Sequence, residues 1–288
     1  MLKISTEIGS ISRVVGEEKA VELVGKAGFD AWDLTMFRMT NYDWKTKKCM
    51  PNDHPFASKD CLNFVRELRK IGESYGMVCN QSHAPFPTAC KEIRDKYKLA
   101  LEMTAVAGGK VCIIHPDNNK SANENAEMYF ELLDTAKSFG VKIATENMWN
   151  WDYETNIATP AACSSPKSFV EHLNAVDSDY FVACLDIGHA EMKGLDTSAP
   201  EMINALGNKL QALHIHDNDK IHDSHLVPFS HSIDFDAIAK ALKQNNYNGY
   251  LTLEADAHMR SFAPENAFDG VKQLYDAAKR FALMVENA

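Results

Sequence analysis

Four side chains able to hold a divalent cation close four consecutive apolar runs. They are Glu146 in Val-Lys-Ile-Ala-Thr-Glu146, Asp186 in Val-Ala-Cys-Leu-Asp186, His214 in Gln-Ala-Leu-His214 and Glu254 in Tyr-Leu-Thr-Leu-Glu254. A charged group ending a buried strand is costly to bury without a partner. A cation shared by three carboxylates and an imidazole supplies one. Any one of the four reads almost as well as a salt-bridged rim residue, but the coincidence of all four points to a metal centre. The set is mostly hard oxygen, so Zn, Mn, Co or Mg would each fit, and added histidines favour Zn.

Further candidates lie near the ends of other runs. His83 follows Asn-Gln-Ser, His115 follows Val-Cys-Ile-Ile, His189 follows Asp186-Ile-Gly, and Asp223 and His225 lie in the next loop. His83 and His115 read equally as ligands or as histidines satisfied by the fold. Gly188 lets the chain turn and aim His189 back over the metal, toward the substrate or a second ion. His216 lies two residues beyond His214, so strand alternation puts both on one face and leaves the choice between them open. Asn218 and Asp219 read as turn residues. Trp149 and Trp151 are natural walls for the apolar face of a sugar. His258 and Arg260, after the last run, could take a phosphate or carboxylate.

The elements that must position these residues alternate along the chain. Strand-type runs fall near residues 3–8, 31–36, 77–83, 110–115, 141–146, 181–187, 210–216 and 250–255. Between them lie helical stretches such as Glu17 to Ala27 before Gly28, Asp60 to Tyr75 before Gly76 and Ala122 to Phe139 before Gly140. A glycine just past a helix supplies its left-handed cap. Eight strand-helix units predict an α/β fold of the (β/α)8 TIM barrel type, in which chemistry gathers at the carboxyl ends of the strands. No Gly-x-Gly-x-x-Gly follows the first strand, which argues against an open nucleotide-binding sheet. With no linker-like tract, residues 1–288 read as a single domain.

Composition narrows the partners. Thirty Lys and Arg against forty Asp and Glu give a net charge of −10, which argues against nucleic acid and anionic membranes and for a small ligand. No run approaches a membrane span. The N-terminus enters a strand without a signal-peptide layout, which predicts a cytoplasmic protein. Seven cysteines without a Cys-x-x-Cys pair, several inside apolar runs, read as reduced core residues.

Over essentially its whole length the sequence resembles the xylose isomerase-like TIM barrel superfamily, which includes sugar phosphate isomerases and epimerases, ketose 3-epimerases and endonuclease four. The most specific strings are Glu146-Asn147, Asp186-x-Gly-His189, His214-x-His-Asp217-Asn-Asp, Asp223-x-His225-Leu and Leu-Glu254. The resemblance implies that Glu146, Asp186, His214 and Glu254 bind one metal, that Glu146 and Glu254 are the acid-base pair, and that His189 touches the substrate. His83, Trp149 and Arg260 are the other expected substrate contacts. The implied reaction is proton transfer next to a carbonyl through a metal-bound enediolate, on a ketose or sugar phosphate, by an enzyme of a kind that often forms homo-oligomers. The nuclease branch implies an alternative, a three-zinc phosphodiesterase with His83, His115, His189, Asp223 and His225 as added ligands. The loop after His225, Leu-Val-Pro-Phe-Ser-His-Ser-Ile-Asp, departs from the Gly-Glu-Gly typical of both that branch and many sugar-acting relatives. A non-catalytic sugar-binding barrel is the third reading.

Overall fold

A computed structural model describes residues 2–288. Its central strands are β1 Ile4–Glu7, β2 Ala31–Thr35, β3 Val78–His83, β4 Val111–Ile113, β5 Lys142–Glu146, β6 Phe181–Asp186, β7 Leu210–His214 and β8 Leu251–Leu253. From β1 to β7 each pairs in parallel with its neighbour in sequence, and β1 pairs with β8. Between β7 and β8 the wall is closed just beyond His214, where Ile215 donates N–H to the Thr252 carbonyl and accepts from Glu254 N, both at 3.0 Å. The eight strands thus form the expected (β/α)8 barrel.

Each strand leads into a helix of the outer ring: α1 Glu17–Ala27, α2 Cys61–Ser74, α3 Tyr97–Ala107, α4 Ala122–Phe139, α5 Pro166–Val176, α6 Ala199–Leu206, α7 Phe235–Gln244 and α8 Ala267–Asn287. The local signals are clear in α4. Ser121 and Glu124 form a reciprocal capping box at its start, and Gly140 at φ 63° supplies the left-handed cap. No helix among the described residues is long and apolar enough to cross a membrane.

Strand alternation separates two cores. Outward residues such as Ile4, Trp32, Leu34, Ile143, Phe181, Leu185, Leu213 and Leu251 pack against the helices. Inside the barrel, Val111, Ile113, Ala144, Val182, Cys184 and Ala212 from β4–β7 form a small apolar cluster. The other half of the interior is polar. A register shift between Trp32 and Asp33 leaves Asn80 as an extra residue of β3, since Trp32 faces Cys79 and Asp33 faces Gln81. Such a bulge lets consecutive residues point the same way. Asn80 thereby reaches Ser5 at 2.7 Å and Thr252 at 3.0 Å, while Gln81 donates to Asp33 at 2.9 Å.

Two antiparallel hairpins interrupt the alternation, Asn41–Asp43 with Lys48–Met50 after β2, and Trp149–Asp152 with Ile157–Pro160 after β5. Both use the same turn. Asp43 accepts from Lys45 N at 2.9 Å and Thr46 Oγ1 at 2.7 Å, and Asp152 accepts from Glu154 N at 2.8 Å and Thr155 Oγ1 at 2.7 Å. The exposed aromatics Trp44 and Tyr153 stand beside these turns.

All seven cysteines are free, and all but Cys49 are buried. The six buried ones are core residues, as their apolar settings imply, and Cys49 lies half-buried on the first hairpin.

Candidate active site

The inward positions of the strands converge on one cavity of about 500 Å³, whose lining includes Glu7, Thr35, His83, His115, Glu146 and Glu254. Period-two alternation explains the convergence: the residue two places before each of several strand ends belongs to the barrel interior, and the last inward residue faces the mouth. Glu146, Asp186, His214 and Glu254 offer ligand atoms that all lie within 4.8 Å of one another, all four buried. His214 Nδ1 is 3.0 Å from Glu146 Oε1 and 3.2 Å from Glu254 Oε2.

The further histidines gather around the same point in two groups. His83, His115 and Glu146 form one; His115 Nε2 lies 2.9 Å from His83 Nε2 and 3.1 Å from Glu146 Oε2. Asp186, His189, His216 and His225 form the other, with Asp223 within 3.3 Å of His189 Nε2 and 3.2 Å of His225 Nε2. His214 and His216 share a face but divide between centres. His216 Nε2 is 3.0 Å from Asp186 and 3.5 Å from Asp223, whereas His214 faces the two glutamates. Gly188 makes room for that arrangement, because a Cβ there would stand 1.9 Å from the His216 ring.

Neighbouring groups aim the rings. His83 donates from Nδ1 to the Ala84 carbonyl at 2.8 Å, His189 to the Asn147 carbonyl at 2.8 Å, and His225 to the Glu254 carbonyl at 2.7 Å. Each is left with Nε2 toward the cavity, the usual way in which an outer partner sets a ligand's tautomer. Asn147 also brackets Asp186, donating to its carbonyl at 2.9 Å and accepting from its N–H at 2.8 Å. Asn218, expected as a simple turn residue, is buried and donates to the Gly188 carbonyl at 2.9 Å, so it helps hold the loop carrying Asp223. Asp219 does act as a turn residue, accepting from Ile221 N and His222 N.

The charges are strongly coupled. Burial pushes the Glu146 carboxyl up, but His214, His115 and His83 outweigh it and hold the group well below the usual carboxylate range. At Glu254 burial wins, aided by the nearby Glu146 charge, and the carboxyl is raised. Burial lowers His115 to about 4, with His83 adding to the effect. His189 moves the other way, to about 10, because Asp186 and Asp223 overcome its burial. Cys184 is close to Glu146 and His214, but burial pushes its thiol up and keeps it protonated.

The surrounding wall is aromatic. Phe37 packs edge-on against His83 at 4.6 Å, Phe86 stacks on His115 at 5.2 Å, and Trp149 meets His189 at 6.3 Å between ring centroids. Trp151 does not line the cavity; it stacks on His222 at the rim. Arg260, expected at the substrate, is also absent from the lining. It sits in a rim turn with its side chain 70% exposed, 3.8 Å from Asp256. Arg13 takes that position instead, lining the cavity 3.6 Å from the same carboxylate. His258 lies apart, against Phe262.

Two buried acids escaped the sequence reading. Glu7 ends β1 in Ile-Ser-Thr-Glu7, the same kind of signal as the recognised four. It accepts from Ser10 N at 2.9 Å and from the Ser10 hydroxyl, and burial raises it to about 7. Asp33 lies deeper, fully buried below His214.

Fold and site together define a barrel with a cluster of carboxylates and imidazoles at the mouth of its strands. The description "xylose isomerase-like TIM barrel" matches residues 21–278, and the chain belongs to that family. An uncharacterised protein of Methanocaldococcus jannaschii is 25% identical over 257 residues, covering 82% of this chain and 78% of its own. Among solved structures, a D-tagatose 3-epimerase-like protein superposes with a TM-score of 0.72 at 20% identity, covering 99% of both chains. IolI, whose structure holds a zinc atom, gives 0.71 at 18% identity, over 97% of this chain and 99% of its own.

Proposed function

We propose that this chain is a divalent-metal-dependent sugar isomerase or epimerase, acting on a ketose or sugar phosphate. One observation carries the reading: Glu146, Asp186, His214 and Glu254 converge within 4.8 Å beside a cavity that Glu146 and Glu254 line together with Phe37, Phe86 and Trp149. The donor set fits a cation. Asp186 Oδ2 is buried with no hydrogen-bond partner, and three carboxylates crowd one imidazole. Those four residues would hold the ion. A divalent cation bound there would polarise a substrate carbonyl and so acidify the proton on the adjacent hydroxyl-bearing carbon.

The protein's own groups then divide the proton transfer. Glu146 and Glu254 end β5 and follow β8, and their surroundings push their proton affinities apart, the condition for separate acid and base roles. Glu146, held ionised, takes the proton, and Glu254 returns one from the other side of the substrate. His189 and His83 orient substrate oxygens, and Trp149 covers an apolar sugar face while helping to exclude water.

A zinc phosphodiesterase is the second reading, favoured by the two further ligand groups around His83 and His189. Charge opposes it. Among the described lining residues Arg13 is the one permanent cation, and Asp256 already neutralises it, whereas Asp117 and Asp223 add negative charge. Phosphate neutralisation by Lys and Arg supplies most nucleic-acid affinity.

Exchange of carbon-bound hydrogen from a panel of ketoses and their phosphates in heavy water tests the proposal. Glu146→Gln is expected to slow exchange and epimerisation at least about 10³-fold. Retention of most activity would overturn the assignment.

A further inference from the structure

His214 is the imidazole whose orientation is reversed. His83, His189 and His225 give Nδ1 to main-chain carbonyls and turn Nε2 to the cavity. His214 turns Nδ1 to Glu146 and Glu254 and points Nε2 down into the barrel. There it meets no hydrogen-bond partner; the nearest acidic group is Asp33, with Oδ2 at 3.6 Å. Both side chains are buried to within about one percent.

His214 would hold a cation of the quartet through the lone pair of Nδ1, the nitrogen turned to Glu146 and Glu254. The ring's proton must then sit on Nε2. That N–H is sealed from solvent, and Asp33 is the acceptor beside it. The remainder of the interior supports this use of Asp33. Its Oδ1 is unpartnered, and its Oδ2 receives Gln81 Nε2 at 2.9 Å. Gln81 is tied through Thr252 at 3.2 Å and Asn80 at 3.2 Å to Ser5, which bonds Asn80 at 2.7 Å. The β3 bulge that turns both Asn80 and Gln81 inward thus fixes the carboxylate under the ring.

We infer that Asp33 is a positioning residue, which holds His214 as the Nε2–H tautomer and so presents Nδ1 to the metal. It touches neither substrate nor ion. The inference rests on the metal-binding reading above and adds a residue on β2 that the strand-end pattern does not contain. A carboxylate behind a ligating imidazole fixes its tautomer and raises its basicity, and loss of such a partner generally weakens metal binding about 10- to 100-fold.

The experiment uses the whole chain with Zn²⁺ alone as the probe. Zn²⁺ affinity is measured by competition with a chromophoric chelator for the wild type, Asp33→Asn and Asp33→Ala, and the ring nitrogens of His214 are assigned by long-range ¹H–¹⁵N spectra of the zinc-loaded, ¹⁵N-histidine protein. The expected result is a proton on Nε2 in the wild type and an affinity about 10- to 100-fold lower in both variants. Metal-free Asp33→Asn should melt close to the wild type, because the amide oxygen can still accept from Gln81; this separates positioning from folding. Wild-type-like affinity in both variants would overturn the role of Asp33 while leaving the metal site intact, whereas a His214 proton on Nδ1 in the zinc-loaded wild type would remove His214 from the ligands and overturn both readings. A wild type that binds no Zn²⁺ at the quartet would overturn both readings together.

Discussion

The two halves of the barrel interior are made of opposite materials. Below β4–β7 the inward side chains Val111, Ile113, Ala144, Val182, Cys184 and Ala212 form an apolar cluster. Below β8 and β1–β3 the corresponding space holds Thr252, Ser5, Asp33, Asn80 and Gln81, joined by hydrogen bonds. Glu146 and Asp186 stand on the apolar half and His214 leans over the polar one. Carboxylates above an apolar base sit in a low-dielectric setting, which strengthens their interaction with the neighbouring imidazoles. An imidazole above a carboxylate has its proton assigned instead. One half strengthens the electrostatics, and the other sets which nitrogen takes part.

The largest effect on stability is expected at Glu7, the acid that crowns the polar half. Its carboxyl is raised from 4.5 to about 7. Between those values the unfolded chain has released this proton and the folded chain still holds it, so stability falls as pH rises through that window, by about 3 kcal/mol in all. Glu7→Gln removes the titration. Urea unfolding at about pH 4.5 and above pH 7 should show the variant gaining about 3 kcal/mol relative to the wild type over that interval. Parallel stability profiles would mean that Glu7 is not held protonated by the fold.

Smaller changes test the two floors directly. Gln81→Leu removes a donor from a buried carboxylate and is expected to cost about 1.5–3 kcal/mol. Ile113→Val in the apolar half should cost about 0.5–1.5 kcal/mol. The sharper contrast is in metal binding: the first should weaken it through Asp33, and the second should leave it unchanged. Equal effects of both substitutions on metal affinity would erase the distinction between the halves.

Much of this was legible from residue order. Strand alternation and the charged residues ending each run were sufficient to place Glu146, Asp186 and His214 on neighbouring strands and Glu254 just past the last one. Helix α1 runs from Glu17 to Ala27 and α4 from Ala122 to Phe139, the spans their glycine stops predicted. The two hairpins were not anticipated, although each carries an Asp-aromatic-x-Thr turn that would have marked it. Asp33 escaped because a single acid within Ala-Trp-Asp-Leu-Thr reads as a defect in an apolar run. Its meaning comes from the β3 bulge, and a bulge depends on register between strands that are distant in sequence. Arg260 lies outside the cavity lining for a related reason. Nearness in sequence to a site residue says nothing about which way a rim turn points, and Arg13, in the short helix Gly9–Val15 after β1, lines the cavity beside Asp256 instead.

The most direct test is the metal content of the whole chain, purified without added metal or chelator and measured by plasma mass spectrometry beside His214→Ala. The account predicts about one Mn, Co or Zn per wild-type chain, largely lost from the variant. A wild type free of divalent metal, or a variant that keeps the wild-type content, would contradict it.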